Sequence, residues 1–96
     1  MNTVKMVNNT AMEIARVFWF RADAHYKDAQ KNESTTGDRL ASYSLAGHNY
    51  NEACEWFEKA RGMTIGHNRR ARYDEAADNM KRKAELAYEC ARTLNA

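Results

Sequence analysis

Residues 73–94 read YDEAADNMKRKAELAYECARTL and carry the clearest structural pattern of the chain. Their apolar members recur at intervals of three and four positions. This stripe consists of Tyr73, Ala77, Met80, Ala84, Ala87, Ala91 and Leu94. Because an α-helix has about 3.6 residues per turn, the spacing places the whole stripe on a single helical face. Charged side chains occupy the opposite face, so we predict an amphipathic helix over about residues 68–95.

The segment upstream, residues 39–61, has the same spacing. Its apolar stripe consists of Tyr43, Ala46, Tyr50, Ala53, Phe57 and Ala60. Asp38 is the predicted N-cap of this segment, and Gly62 is its predicted C-terminal cap. Gly47-His48-Asn49 interrupts a run of better helix formers. The segment is therefore either one weakened helix or two helices joined by a tight turn.

Another helix is predicted over residues 11–31, because Thr10-Ala-Met-Glu13 fits a capping box. Its stripe consists of Ala11, Ile14, Ala15, Phe18, Ala22, Tyr26 and Ala29. A polar loop follows it. We expect residues 1–9 to form an N-terminal arm, although Val4 and Val7 would also extend the stripe backwards.

The composition agrees with long helices. The chain has 96 residues and no proline, and it is 44% apolar and 29% charged, which is typical of one globular domain. Proline breaks helices and populates turns, so its absence favours long helices with few connections. We predict an all-α single domain over residues 1–96, namely a small antiparallel three-helix bundle, or four helices if the middle segment breaks.

The cysteines and the apolar pattern predict a cytoplasmic protein without a membrane partner. Cys54 and Cys90 lie far apart in helical patterns, which is typical of a reducing compartment. The first ten residues do not resemble a signal peptide, and no apolar stretch approaches the roughly 20 residues of a membrane span. The net charge of +2 is too small to indicate non-specific nucleic-acid binding by itself.

Many stripe residues in the last predicted helix are alanine. Alanine lets helices approach closely but buries little area, and burial contributes only about 25 cal/mol per Å² of apolar surface. The core should therefore be thin. A homo-oligomer, or a complex with a partner, is the alternative to a monomer.

The middle segment also resembles a known repeat. Residues 50–60, YNEACEWFEKA, resemble the second helix of a tetratricopeptide repeat, and Leu40 and Ala41 fall where that repeat has a leucine and a small residue. The resemblance covers Leu40–Ala60, about one repeat, and implies a helical hairpin that binds other proteins. His48 stands near the expected turn glycine and the closing proline is missing, so a concave peptide groove does not follow from it.

The same segment is similar to the helical hairpin of small phage proteins that sequester cyclic-nucleotide immune signals. The similarity rests on Ser44-Leu-Ala46, Glu52-Ala53, Trp56 and Ala60. It implies an oligomer that encloses a nucleotide between subunits. The proline-rich turn of that family is missing and the last helix is extra, so no binding residue is carried over.

The chain contains no recognisable catalytic or metal-binding motif. His25, His48 and His67 lie on different segments, whereas a metal site needs several ligands at one point. No glycine-rich phosphate loop or activated nucleophile occurs. The two cysteines are interpreted as small buried hydrophobes. We expect no enzyme, no metal and no cofactor.

Phe20 stands out on the first predicted helix. At 100° per residue it projects roughly opposite the apolar stripe, between Arg16 and Lys27, and Trp19 lies on the flank of the stripe. A large aromatic residue there indicates contact with a partner, although single exposed aromatics also occur on monomers. The predicted partner-binding residues are Arg16, Trp19, Phe20 and Lys27.

Three arginines fall in the first turn of the last predicted helix, where they oppose the helix macrodipole at about 0.3–1 kcal/mol each. Either Asp74 and Asp78 offset this cost, or the helix begins later, or the cluster faces an anion. The last reading places a phosphate group or an acidic protein surface on the arginines. The predicted anion-binding residues are Arg69, Arg70, Arg72, Tyr73 and Lys83.

Three functions follow from these patterns. The leading hypothesis is a non-enzymatic protein–protein interaction module, an adaptor or an inhibitor of a larger host assembly, as found among phage proteins. The alternative is an oligomer that binds and sequesters a cyclic nucleotide. The third is nucleic-acid binding through the Arg69–Arg72 cluster, with the strong salt dependence that phosphate contacts cause.

Overall fold

A computed structural model describes residues 3–31 and 35–95, with side chains described for residues 10–31 and 35–95. It contains three long helices, α1 (Thr3–Gln30), α2 (Thr36–Gly62) and α3 (His67–Asn95). No strand occurs in the described ranges. The predicted all-α three-helix bundle is confirmed.

Aromatic contacts show how α1 and α2 run. The ring centroids of Trp19 and Phe57 are 6.3 Å apart. Those of Tyr26 and Tyr43 are 5.4 Å apart. Residue numbers rise along α1 as they fall along α2, so the two helices are antiparallel.

α2 also packs antiparallel against α3. Arg61 near the end of α2 forms an ion pair with Asp74 near the start of α3, and Gly47 lies against the ring of Tyr88 further along. α1 and α3 are therefore parallel. Each packs along α2, but their backbones approach one another little. The backbone extends over 50 × 19 × 13 Å, so the bundle is long and flat.

Alanine is the commonest residue of the core as a whole, and not only of α3. Of the 16 buried apolar residues that the structure describes, 11 are alanine. The other five are Tyr43, Tyr50, Cys54, Phe57 and Met80. The whole predicted stripe of α2 is buried, and so is the predicted stripe of α3 from Ala77 to Ala91. A few large side chains therefore supply most of the buried apolar area.

Gly47 does not break α2, which is continuous through Gly47-His48-Asn49. The four-helix alternative is therefore wrong. A Cβ atom at Gly47 would lie 2.8 Å from the ring of Tyr88, so glycine makes room for this ring against the α2 backbone. The Asn49 amide is satisfied within the helix, because its Nδ2 donates to the Leu45 carbonyl at 2.8 Å.

The two ends of α2 differ from the sequence prediction. The N-cap is Thr35 and not Asp38, because Thr35 Oγ1 accepts a hydrogen bond of 3.1 Å from the Asp38 N–H. Asp38 lies in the first turn, where its carboxylate interacts favourably with the positive end of the helix macrodipole. Gly62 is the last helical residue, and no described residue has a positive φ, so it is not a left-handed cap. Instead, the Thr64 hydroxyl donates to the Ala60 carbonyl at 2.8 Å.

α1 begins at Thr3 and includes most of the residues that we expected in a separate arm. Thr10 and Glu13 consequently lie inside the helix, and the capping box predicted there does not start it. The reason is local: residues 3–10 contain neither glycine nor proline, so nothing in this segment stops a helix.

Candidate anion-binding cleft

An open cleft of about 430 Å³ lies between α1 and the first turns of α3. Three arginines line it, Arg16 from α1 and Arg69 and Arg72 from α3. We call it the arginine cleft. Its other lining residues are Met12, Trp19, Phe57, Tyr73 and Ala76. The cleft therefore combines cationic rims with a largely apolar and aromatic surface.

No described residue supplies a counter-charge to the three guanidinium groups. No acidic side chain lines the cleft. Arg16, Arg69 and Arg72 are all exposed and have no hydrogen bond or ion pair to any residue that the structure describes. Arg69 and Arg72 stand in the first two turns of α3. The positive end of the helix dipole disfavours a cation there, in addition to the repulsion between the guanidinium groups themselves. An anion in the cleft would offset both costs.

Trp19 forms the aromatic wall of the cleft. Its ring packs edge-on against Phe57, with an interplanar angle of 69°, and stacks on Phe20 with centroids 6.2 Å apart. Its indole Nε1 is buried without a hydrogen-bond partner among the described residues. A buried donor without an acceptor costs about 1–3 kcal/mol. The wall therefore holds a donor that no described residue accepts from.

Tyr73 closes the cleft on the α3 side. Its hydroxyl donates to the Met12 sulfur at 3.6 Å, which links α3 to α1. Thioether sulfur is a weak acceptor, so this contact can be exchanged for one to a stronger acceptor. Tyr73 was predicted as a ligand-binding residue, and it lines the arginine cleft.

Arg70 has a different role from its neighbours. Its Nε donates to the Thr64 carbonyl at 2.6 Å, and it does not line the cleft. Thr64 in turn caps α2. Arg70 therefore ties the loop between α2 and α3 to the start of α3.

Phe20 is 65% exposed, as its position on the helical wheel predicted. It does not line the arginine cleft, but it stacks on Trp19, which does. Val17, one turn earlier, is also exposed. Both side chains extend the apolar surface of the molecule beside the cleft.

A second cavity, of about 330 Å³, lies further along the same two helices and contains Lys27 and Lys83. Its other lining residues are Asp23, Tyr26, Gln30, Tyr50 and Leu86. The predicted site residues are thus distributed differently from the two patches inferred from sequence. One group combines Arg16 and Trp19 with Arg69, Arg72 and Tyr73, and the other combines Lys27 with Lys83.

Lys83 lines the second cavity, and its ammonium reaches towards Trp19 of the arginine cleft. Its Nζ is 5.8 Å from the ring centroids of both Trp19 and Tyr50. It is 4.0 Å from Asp23 Oδ1, at the outer limit of an ion pair. Asp23 also accepts a hydrogen bond from the Tyr50 hydroxyl. Burial, and then this bond to Asp23, raises the pKa of Tyr50, so the hydroxyl stays a donor at neutral pH.

The described residues contain no cluster of three or more histidine, cysteine or acidic side chains that could hold a metal ion. Burial, and then Glu58, raises the pKa of the Cys54 thiol to about 11. A thiol of that pKa stays protonated near pH 7 and is a poor nucleophile.

Sequence reasoning missed three lining residues: Met12, Phe57 and Ala76. Phe57 had been assigned to the core stripe, and it does form the floor between α1 and α3. Met12 lies four residues before Arg16 and Ala76 four residues after Arg72. Each therefore shares a helix face with a predicted arginine, which is the signal that could have identified both.

Comparison with known proteins finds no relative of this chain. No protein-family model, no curated protein and no solved structure matches this chain. In the part of the chain that the structure describes, no helix has both the length and the apolar character to cross a membrane.

Proposed function

We propose that this chain is a non-enzymatic interaction protein that binds an acidic surface of a partner protein in the arginine cleft. The observation that carries the proposal is the group of three guanidiniums without counter-charge at Arg16, Arg69 and Arg72. A guanidinium presents a planar fork of donors that matches a carboxylate. Three such forks around one cleft favour a partner with several acidic groups.

The surroundings of the cleft also favour a protein partner. Tryptophan, tyrosine and arginine carry a large share of the binding energy in protein interfaces. Trp19, Tyr73 and the arginines supply these residue types together, and exposed Phe20 extends the apolar surface beside them. An adaptor and an inhibitor of a larger assembly would both use a surface of this kind.

A direct test compares two triple variants with the same change of charge. The first, Arg16→Gln/Arg69→Gln/Arg72→Gln, removes the cations of the cleft. The matched control replaces three other exposed arginines by glutamine, Arg21, Arg82 and Arg92. The probe is an acetylated octapeptide of alternating glutamate and alanine, titrated by calorimetry near physiological salt.

The cleft variant should bind the octapeptide at least about tenfold more weakly, since charge-assisted hydrogen bonds are lost. The control should stay within about twofold of the parent chain, because long-range attraction between exposed charges is screened at this salt concentration. Equal losses in both variants would mean non-specific attraction to a basic chain, and the proposal would be wrong.

A nucleotide is the second candidate ligand. The cleft volume of about 430 Å³ lies in the range of small-molecule sites. The rings of Trp19 and Tyr73 could stack on a base while the arginines bind phosphate. Titration of the same variants with 3′,5′-cyclic adenosine monophosphate distinguishes this candidate, and light scattering shows whether an oligomer encloses the ligand.

Nucleic acid is the weakest of the three candidates. It would use the same arginines, but the net charge of +2 gives little general attraction to a phosphate backbone. Titration with a single-stranded oligonucleotide at two salt concentrations tests it. A steep loss of affinity with salt, together with loss in the cleft variant, would favour this candidate over a protein partner.

A further inference from the structure

The arginine cleft and the second cavity lie one after the other along α1 and α3. Both lie between α1 and α3, and both are floored by α2, through Phe57 in the cleft and Tyr50 in the second cavity. The backbones of α1 and α3 approach little along this length, so side chains alone separate the two helices. We call the cleft and the second cavity together the α1–α3 groove.

Cations lie at the same spacing on both rims of the groove. Lys27 lies eleven positions after Arg16 on α1, and Lys83 lies eleven positions after Arg72 on α3. Eleven residues are close to three helical turns, so the two members of each pair share a helix face. Because α1 and α3 are parallel, the backbone positions of these cations form two tiers about 16 Å apart along the helices. The Lys83 ammonium reaches back from the second tier to 5.8 Å from the Trp19 ring centroid.

The surface between the tiers is mainly apolar. Trp19 and Phe57 lie at the first tier, and Tyr26, Tyr50 and Leu86 lie at the second. Leu86, a large apolar side chain on the rim, is 53% exposed. Asp23 also lines the second cavity, 4.0 Å from the Lys83 ammonium. A ligand with an apolar stripe and carboxylates at both tiers would complement the remaining surface.

An α-helix meets these requirements. The structure describes no strand with which an extended segment could pair through its backbone, whereas a groove between two helices receives a third helix by side-chain packing. A helix between α1 and α3 would complete a four-helix bundle. It would also add apolar burial to a core that consists mostly of alanine.

We infer that the α1–α3 groove docks an acidic amphipathic α-helix of a partner protein, with carboxylates about three turns apart that meet Arg16 and Arg72 at one tier and Lys27 and Lys83 at the other. This inference rests on the proposed function, since the arginine cleft forms one end of the groove. The Lys83–Asp23 contact gives way to the helix, because 4.0 Å is a weak ion pair.

Two synthetic peptides test the inference. The long probe has 18 residues, with leucines along one helical stripe and glutamates on both flanks of the stripe. The short probe is a seven-residue half of it, which can reach only one tier. A third peptide has the composition of the long probe with its leucine stripe scrambled.

The expected results are a gain in affinity of about tenfold or more for the long probe over the short one, and weak binding of the scrambled peptide. Lys27→Gln/Lys83→Gln should lower the affinity for the long probe about five- to tenfold and leave that for the short probe unchanged. Lys31→Gln/Lys81→Gln, with the same charge change outside the groove, should leave both unchanged. Circular dichroism should show that the long probe gains helix when it binds.

The outcomes separate the inference from the proposed function. If the short probe binds in the arginine cleft but the long probe gains nothing, or if Lys27→Gln/Lys83→Gln has no effect, the inference is wrong and the proposed function stands. If neither probe binds, both are wrong. If the chain alone forms a dimer that Lys27→Gln/Lys83→Gln dissociates, a second copy occupies the groove, and the inference is wrong.

Discussion

Replacing Gly47 by alanine tests how closely α2 and α3 approach. The new methyl group would lie 2.8 Å from two ring carbons of Tyr88, well inside van der Waals contact. Overpacking of this kind costs about 1–3 kcal/mol. The gain in helix propensity from glycine to alanine offsets about 1 kcal/mol of that cost. We therefore expect Gly47→Ala to lower the free energy of unfolding by about 1 kcal/mol.

The assay is urea denaturation followed by circular dichroism. Gly37→Ala is the matched control, because Gly37 also lies in α2 but a Cβ atom there would meet nothing within 4 Å. The control should be neutral or stabilising. In a Tyr88→Ala background, Gly47→Ala should become stabilising, since the ring that opposes the methyl group is gone. Equal stabilisation by both glycine substitutions in the parent chain would refute the packing argument.

Three further predictions concern capping, the core and pH. Thr35→Ala should lower the free energy of unfolding, measured by urea denaturation, by about 1 kcal/mol. Thr35→Ser should lower it by much less, because serine keeps the hydroxyl that caps α2. Met80→Ala should cost about 2–5 kcal/mol in the same assay, since Met80 is the largest fully buried side chain described; a loss below 1 kcal/mol would contradict its place in the core. Burial raises the pKa of Tyr26 to about 12 and that of Cys54 to about 11, and it also raises the pKa of Tyr50. These groups therefore ionise first in the unfolded chain, so their contribution to stability is intact below about pH 8 and is lost as pH rises from there towards about 12. Urea denaturation at pH 8, 10 and 11 measures how the free energy of unfolding changes with pH. A free energy of unfolding that rises with pH over this range would contradict the prediction.

The stripes made the fold predictable, because their spacing depends only on helix geometry. The middle stripe, Tyr43 to Ala60, is buried over its whole length. The ends of the helices were less predictable, since Thr35 and Asp38 are both good N-caps and only the backbone geometry selects between them. Gly47 was ambiguous for a related reason: whether a helical glycine marks a break or a close contact depends on Tyr88, which is distant in sequence.

The sequence also indicated most residues of the candidate site, but not how they group. Arg16 and Arg72 are far apart in the chain. They line the same cleft only because α1 and α3 run parallel on either side of α2. Arg69 and Arg70 are adjacent and chemically identical, yet one lines the cleft and the other binds the Thr64 carbonyl. Such differences depend on helix rotation and loop geometry, which residue spacing alone does not determine.

The most direct measurement of the central claim is the nuclear magnetic resonance titration of the arginine Nε–H and tryptophan Nε1–H groups with the acidic octapeptide. The account predicts saturable shifts for Arg16, Arg69 and Arg72, together with Trp19 Nε1–H, whose buried donor lies in the wall of the cleft. Arg70 should shift much less, because its Nε–H is already bonded to a carbonyl. Shifts spread evenly over all arginines, with Trp19 unmoved, would contradict an anion-binding cleft between α1 and α3.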